Sequence, residues 1–198
     1  GEESGLEPDA WKAWVAAGGI RPLLAPRALL GRSKAEQLPA TSEDQALIEV
    51  IRQRYKNNPY GFEACAGALS RLLLPDVARL DLTRPWRDGG RDGIGRLRIG
   101  RGPAAIEVDF ALEAKCYGAN NAVGVKEVSR LISRIKHREF GVLVTTSYVD
   151  RQAYQEVTDD GHPVILTTAQ DIVSLLRSAG VRTPEQVDAW LDGITASS

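Results

Sequence analysis

The sequence predicts an α/β domain, a three-layer sandwich of helices around a mixed central sheet, with the element order α α β β β α β α β α α. Three observations carry this reading. Residues 42–74 contain two stretches of apolar residues at helical spacing. Residues 77–115 contain three strand-like stretches, and from there to the C-terminus helical and strand patterns alternate. At 198 residues, with 43% apolar and 26% charged residues, the chain is long enough to bury a core and too apolar for wholesale disorder.

Taken in order, residues 1–41 hold four of the ten prolines and one helical phrase, 8–17, stopped by Gly18-Gly19. This segment reads as a lead-in or interdomain connector, with Trp11 and Trp14 docking its helix, and 42–198 as the folded domain. Ser42 and Gln45 have capping-box spacing and open a helix to about residue 55 whose apolar positions are Ala46, Leu47, Val50 and Ile51. A turn at 57–59 leads to a helix over 60–74. Phe62, Cys65, Ala66, Leu69, Leu72 and Leu73 form its buried side, Glu63, Gly67 and Ser70 lie on the other, and Pro75 ends it. Strands are expected at 77–83, 95–99 and 106–115, then a helix over 123–137 and a fourth strand, 141–146, apolar enough for a buried position. A helix at 151–158, a strand at 163–166 and a helix over 168–180 follow, with a last helix stopping at Gly193. Thr167 with Gln170 and Thr183 with Gln186 have capping-box spacing before these two helices.

Composition narrows the chemistry. Twenty-five Lys and Arg against 26 Asp and Glu exclude a uniformly basic nucleic-acid coat. Two cysteines and two histidines, Cys65, Cys116, His137 and His162, cannot build a disulfide framework or a compact Cys/His zinc site, so any metal must sit mainly on carboxylates. No stretch approaches the roughly 20 apolar residues of a membrane span, and no basic start precedes an apolar run; a soluble, cytoplasmic setting without membrane partners is expected. The chain has no methionine, so Gly1 is not expected to be a natural start, and the sequence reads as a trimmed polypeptide or a cut-out domain.

The strand 106–115 alternates: Val108, Phe110, Leu112 and Ala114 form one face, Asp109, Ala111, Glu113 and Lys115 the other. Glu113 and Lys115 therefore leave one face about 7 Å apart. Upstream, Asp92 sits in the glycine-rich stretch 88–93, where the backbone can bend and carry a carboxylate to a neighbouring strand. Such a carboxylate together with a Glu-Ala-Lys triplet suits a metal-dependent phosphodiesterase. Two carboxylates hold Mg²⁺, which keeps several waters, and a lysine orients the attacking water or stabilises the phosphorane. Asp88, before the two glycines, is a competing carboxylate. Asp109, about 13 Å from Glu113 along the strand, reads as structural or solvated.

These residues resemble the PD-(D/E)XK nuclease superfamily, with Asp92 and Glu113-Ala114-Lys115 separated by 20 positions. The phrases Tyr60-Gly61-Phe62-Glu63-Ala64, Gly89-Gly90-Arg91-Asp92-Gly93 and Leu112-Glu113-Ala114-Lys115-Cys116-Tyr117 look like its Mrr-like branch and the catalytic domains of Type II and modification-dependent restriction endonucleases. The resemblance covers about residues 43–178 and implies an αβββαβ core. Arg91 stands where the motif's name has proline. It further implies that Asp92 and Glu113 hold Mg²⁺, with Mn²⁺ as a substitute, that Lys115 assists the attacking water, and that Glu63 is an accessory catalytic acid. Read from the residues alone, Glu63 is equally an acid favoured in a helix's first turn.

A second signal lies in the helix after the Glu-Ala-Lys strand, where Lys126, Arg130 and Arg134 recur every four residues with Arg138 next, opposite Val128, Leu131, Ile132 and Ile135. Residues 84–138 hold 12 basic and 6 acidic residues, a net of +6, against −7 elsewhere. The stripe and Arg91 are expected to contact duplex DNA by neutralising phosphates, although a solvated basic face would look the same. The function expected is a Mg²⁺-dependent DNA endonuclease of a bacterial restriction system, dimeric at least when it cuts both strands, with a DNA-recognition domain beyond this chain. A repair or junction-resolving nuclease, and a non-catalytic DNA-binding module of the same fold, fit the same residues.

Overall fold

The computed structural model describes residues 31–82, 92–136, 139–159 and 161–196. The helical phrase with Trp11 and Trp14, Asp88, Arg91, His137 and Arg138 lie outside them. Helices α1 (Lys34–Gln37), α2 (Ser42–Tyr55) and α3 (Pro59–Leu73) precede strands β1 (Val77–Leu82), β2 (Gly93–Ile99) and β3 (Ile106–Lys115). Then come β4 (Ala122–Val123), α4 (Val125–Ile132), β5 (Phe140–Thr145), β6 (Tyr148–Val149), α5 (Arg151–Asp159), β7 (Val164–Thr167), α6 (Ala169–Ser178) and α7 (Pro184–Ala196). The expected α/β sandwich around a mixed sheet is the fold observed.

The main sheet has the order β1-β2-β3-β5-β7. The first three strands form an antiparallel meander, while β5 and β7 run parallel to β3, each reached by a helical crossover, α4 and α5. The pleat sends alternate residues of β3 to two different helical layers. Phe110, Leu112 and Ala114, with Val142 and Val144 of β5, join Leu47, Ile51, Phe62, Leu69, Ile172, Leu176, Val187 and Leu191 in the larger core. Ala111 and Glu113 face the other layer, where α4 and α5 bury Val128, Leu131, Ala153 and Val157.

Sequence chemistry sets the helix ends. Asn58 caps α3 by accepting from the Gly61 N–H at 2.9 Å, with Pro59 in the first turn. The cap of α2 is Thr41, one residue ahead of the expected Ser42. That of α6 is Thr168 with Asp171, because Thr167 pairs with Val144 as the last rung of β7 and is not free to cap. Thr183 and Gln186 do form the expected reciprocal pair. The last helix continues through Gly193 to Ala196. Gly67 and Ser70 of α3 are buried as well, because Leu80 and Leu82 of β1 pack over Gly67 and the Ser70 hydroxyl donates to the Ala66 carbonyl.

The helix expected over 123–137 is shorter at both ends. Residues 122–123 instead pair with Tyr148 and Val149 in a small second sheet. At the far end the Ser133 hydroxyl takes the Arg130 carbonyl at 2.8 Å, the acceptor that the Arg134 N–H would use in a continuing helix, and that N–H turns to Leu131 at 3.0 Å. Arg134 is thus a turn residue.

Residues 31–41 pack on this same unit, which begins at Gly31. Arg32 grips Asp171 through two parallel bonds of 2.8 and 2.7 Å, and the buried Gln37 amide exchanges bonds with both backbone groups of Val149.

Phe110 lies across the backbone of Gly95, its partner on β2, and tilts against Phe140 with ring centroids 5.1 Å apart. A Cβ at position 95 would stand 2.0 Å from the Phe110 ring. Gly95→Ala is therefore expected to lower stability by about 1–3 kcal/mol, seen as a lower urea midpoint at unchanged slope.

Candidate active site

The site forms where β3 approaches its C-terminal end, held on both flanks by β2 and β5. Asp92 occupies the bend just before β2. Its N–H donates to the Leu112 carbonyl at 3.1 Å, and its carboxylate Oδ2 accepts the Ala114 N–H at 2.7 Å. The first bond continues the β2–β3 backbone pairing, and the second fixes the carboxylate beside residues 113–115 through the backbone of the strand it serves. This is the close approach expected from the glycine-rich stretch.

Glu113 and Lys115 share a face, as the alternation requires, and their side chains meet. Lys115 Nζ lies 2.7 Å from Glu113 Oε1 and 3.5 Å from Asp92 Oδ2, and donates to the Ala114 carbonyl at 2.9 Å. One ammonium thus spans both carboxylates. The Glu113 side chain is 0% exposed. Burying a carboxylate is costly unless it is paired, and here Arg130 Nη2 pairs with Oε1 and Arg134 Nη1 reaches Oε2 at 3.2 Å.

Burial, and then the neighbouring Glu113 charge, raise the Asp92 pKa above the ordinary aspartate value, opposed by Lys115 and the Ala114 N–H. Glu63 is partly buried in the second turn of α3, not in the first turn where the helix dipole would favour an acid, because the helix starts at Pro59. Its pKa is pushed up to about 7 by burial first and then by the Asp92 and Glu113 charges, with Lys115 opposing. That dependence ties Glu63 electrostatically to the site. Among the described residues no three His, Cys, Asp or Glu side chains gather closely enough to hold a metal by themselves. The donor chemistry nevertheless fits a hard cation: two clustered carboxylates, one with its pKa raised by burial and then by the other's charge, and no sulfur or imidazole among them, leaving the remaining positions to water.

The basic stripe divides. Lys126 is exposed, whereas Arg130 and Arg134 turn inward onto Glu113. Asp109 points outward and pairs with Arg96 at 2.8 Å.

The sequence reading missed Arg52. From α2 it donates to the carbonyls of Tyr117 at 3.2 Å and Thr146 at 2.5 Å, while the Thr146 hydroxyl accepts from the Tyr117 N–H at 2.9 Å and the Thr146 N–H bonds the Lys115 carbonyl at 3.2 Å. These contacts fix the chain where it leaves Lys115. No sequence signal marks Arg52, since an arginine in the last turn of a helix is an ordinary dipole partner.

The fold that carries these residues, a mixed five-stranded sheet between helical layers, has a counterpart in a known family. Residues 54–176 match Mrr_cat, described as restriction endonuclease, and the chain belongs to that family. Among solved structures it is similar to the DNA modification-dependent restriction endonuclease AspBHI, with 91% identity over 100% of this chain and 51% of that one, at a TM-score of 0.82. It is also similar to MspJI restriction endonuclease, solved in complex with a 27-mer oligonucleotide, with 28% identity over 94% of this chain and 44% of that one, at a TM-score of 0.73. The chain spans about half the length of each. No curated protein matches it.

The Glu63 pKa has a measurable consequence. In the unfolded chain the carboxyl ionises near 4.5; in the folded protein it holds its proton to about 7. Its contribution is thus fully present below the lower value and is lost as pH rises through the upper one. In chelator, wild type should match Glu63→Gln in stability near the lower pH. Above neutrality it should fall below the variant by on the order of 1 kcal/mol, a figure discounted for the solvent reaching this group. Chemical denaturation across the pH range checks this.

Proposed function

We propose that this domain is the cleavage module of a bacterial, cytoplasmic, modification-dependent restriction endonuclease, hydrolysing phosphodiester bonds of double-stranded DNA with a divalent metal, Mg²⁺ or Mn²⁺ in its place. One observation carries the proposal: within an Mrr-type fold, Lys115 bridges the carboxylates of Asp92 and Glu113. Dependence on DNA modification is suggested by the similarity to AspBHI, a DNA modification-dependent restriction endonuclease.

Asp92 and Glu113 would hold the metal. When bound, such an ion neutralises charge on the scissile phosphate and lowers the pKa of its water. The chain's own residues do the rest. Lys115 keeps its ammonium between the two carboxylates, where it orients the attacking water and faces the negative charge that builds on the phosphoryl oxygens. Glu63, titrating near neutrality, holds or releases a proton at its carboxyl oxygens during turnover. Lys126 meets the DNA backbone, as do Arg91 and Arg138, which lie outside the described residues, and Arg130 and Arg134, which pair with Glu113, lie on the segment that follows Lys126. Cleavage of both strands calls for two such sites, hence a homodimer at least during cutting. The parts of the relatives beyond this chain's span would supply DNA recognition.

The test is digestion of a mixed methylated and unmethylated DNA library with Mg²⁺, followed by sequencing of the new ends. New ends should appear with Mg²⁺ and not in chelator, and they should cluster near modified bases when the segment that supplies recognition is joined to this domain. Lys115→Ala and Asp92→Ala should each slow cleavage by roughly 10²-fold or more while keeping a cooperative melt. Full cleavage by either variant would refute the assignment. Absence of Mg²⁺ and Mn²⁺ binding by calorimetry would favour a DNA-binding module of the same fold.

A further inference from the structure

Three cations crowd one buried carboxylate. Lys115 and Arg130 share Glu113 Oε1, and Arg134 takes Oε2. Among the described residues, the acidic groups held directly in this cluster are Asp92 and Glu113, so the protein's own cations already compensate Glu113. A divalent ion held by Glu113 would compete with the guanidinium of Arg130 for that carboxylate. The three cations differ in their freedom to leave. The Lys115 and Arg134 side chains are 16% and 17% exposed, and Lys115 is also tied to Asp92 and the Ala114 carbonyl. The Arg130 side chain is 43% exposed, rises from the last turn of α4, and has open solvent beside the same surface that carries Lys126.

We propose that Arg130 is an exchangeable counter-ion of the metal site: its guanidinium occupies Glu113 when the metal is absent, withdraws when the metal binds, and is then free to take a DNA phosphate. The inference rests on the reading of Asp92 and Glu113 as metal ligands and adds a role for Arg130 that helical spacing alone would not give it. The exchange keeps Glu113 compensated in both states, so the carboxylate is never left bare in the interior. It also links metal and DNA, because a phosphate that holds Arg130 away from Glu113 favours the metal, and by reciprocity the metal favours the phosphate.

The experiment is calorimetric titration of the chain with Mn²⁺. Arg130→Gln should bind Mn²⁺ about tenfold more tightly than wild type, within the range usual for coupled sites. Lys126→Gln removes the same charge from the same helix but from a residue that pairs with no carboxylate among the described residues, and should change affinity less than about twofold, since an exposed charge at a distance is screened. Arg130→Gln equal to or weaker than wild type, or a Lys126→Gln effect as large as that of Arg130→Gln, would overturn the exchange. As a measurement on the unmodified protein, the Arg130 Nε–Hε resonance should shift as Mg²⁺ is added, saturating with the binding isotherm; a resonance that stays fixed through saturation would also overturn it. Glu113→Gln separates the two levels of inference. If that variant binds Mn²⁺ like wild type, the metal-site reading itself fails; if it loses binding while Arg130→Gln gains nothing, only the exchange fails.

Discussion

Everything in this site follows from a carboxylate that has no access to water. Glu113 is fully buried in the middle of a five-stranded sheet, and an isolated ion there would cost several kcal/mol even after relaxation. The surrounding structure answers that cost with charge. Lys115 comes from the same strand two residues on, and Arg130 and Arg134 come from the crossover that follows. The helix α4 is therefore more than a connection between parallel strands. Its apolar side, Val128 and Leu131, packs on the sheet, while its last turn and the turn beyond it deliver two guanidinium groups to the one ion beneath.

The sheet topology explains why Asp92 and the Glu113–Lys115 pair, proposed as the catalytic residues, lie far apart in the chain and close in space. An antiparallel β2–β3 pair places the start of β2 beside the end of β3, so Asp92 falls next to residues 113–115 although 20 residues intervene. The parallel β3–β5 pair then brings the end of β5 alongside, and Thr146 joins Arg52 in holding the chain after Lys115. The site is thus built at the boundary between the antiparallel and parallel halves of the sheet. It is supported by hydrogen bonds to backbone more than by loops, which favours fixed placement of the reacting groups.

Much of this was legible in the sequence because strand periodicity is strict. One long alternating strand specified that Glu113 and Lys115 share a face, and a glycine-rich approach marked Asp92. Helix ends were less legible. Thr41 and Thr168 cap one position away from the expected residues, and α4 stops early because the Ser133 hydroxyl competes for a helical carbonyl. Local chemistry offers several acceptable caps at such places, and strand pairing or a nearby arginine chooses among them. Arg52 was invisible, because its partners are carbonyls on segments 65 and 94 residues away.

The sequence by itself determined the class of fold, the family resemblance and the three residues at the centre of the site, since these depend on periodicity and on residue type along a single strand and its glycine-rich approach. Tertiary structure decided what the basic residues do. Spacing of four made Lys126, Arg130 and Arg134 look like one solvent-facing stripe, yet Lys126 faces solvent while Arg130 and Arg134 turn to Glu113. The physical reason is that a buried charge draws the nearest flexible cations inward, and which cations are nearest depends on how the helix sits on the sheet, a relation that no pattern along the chain encodes.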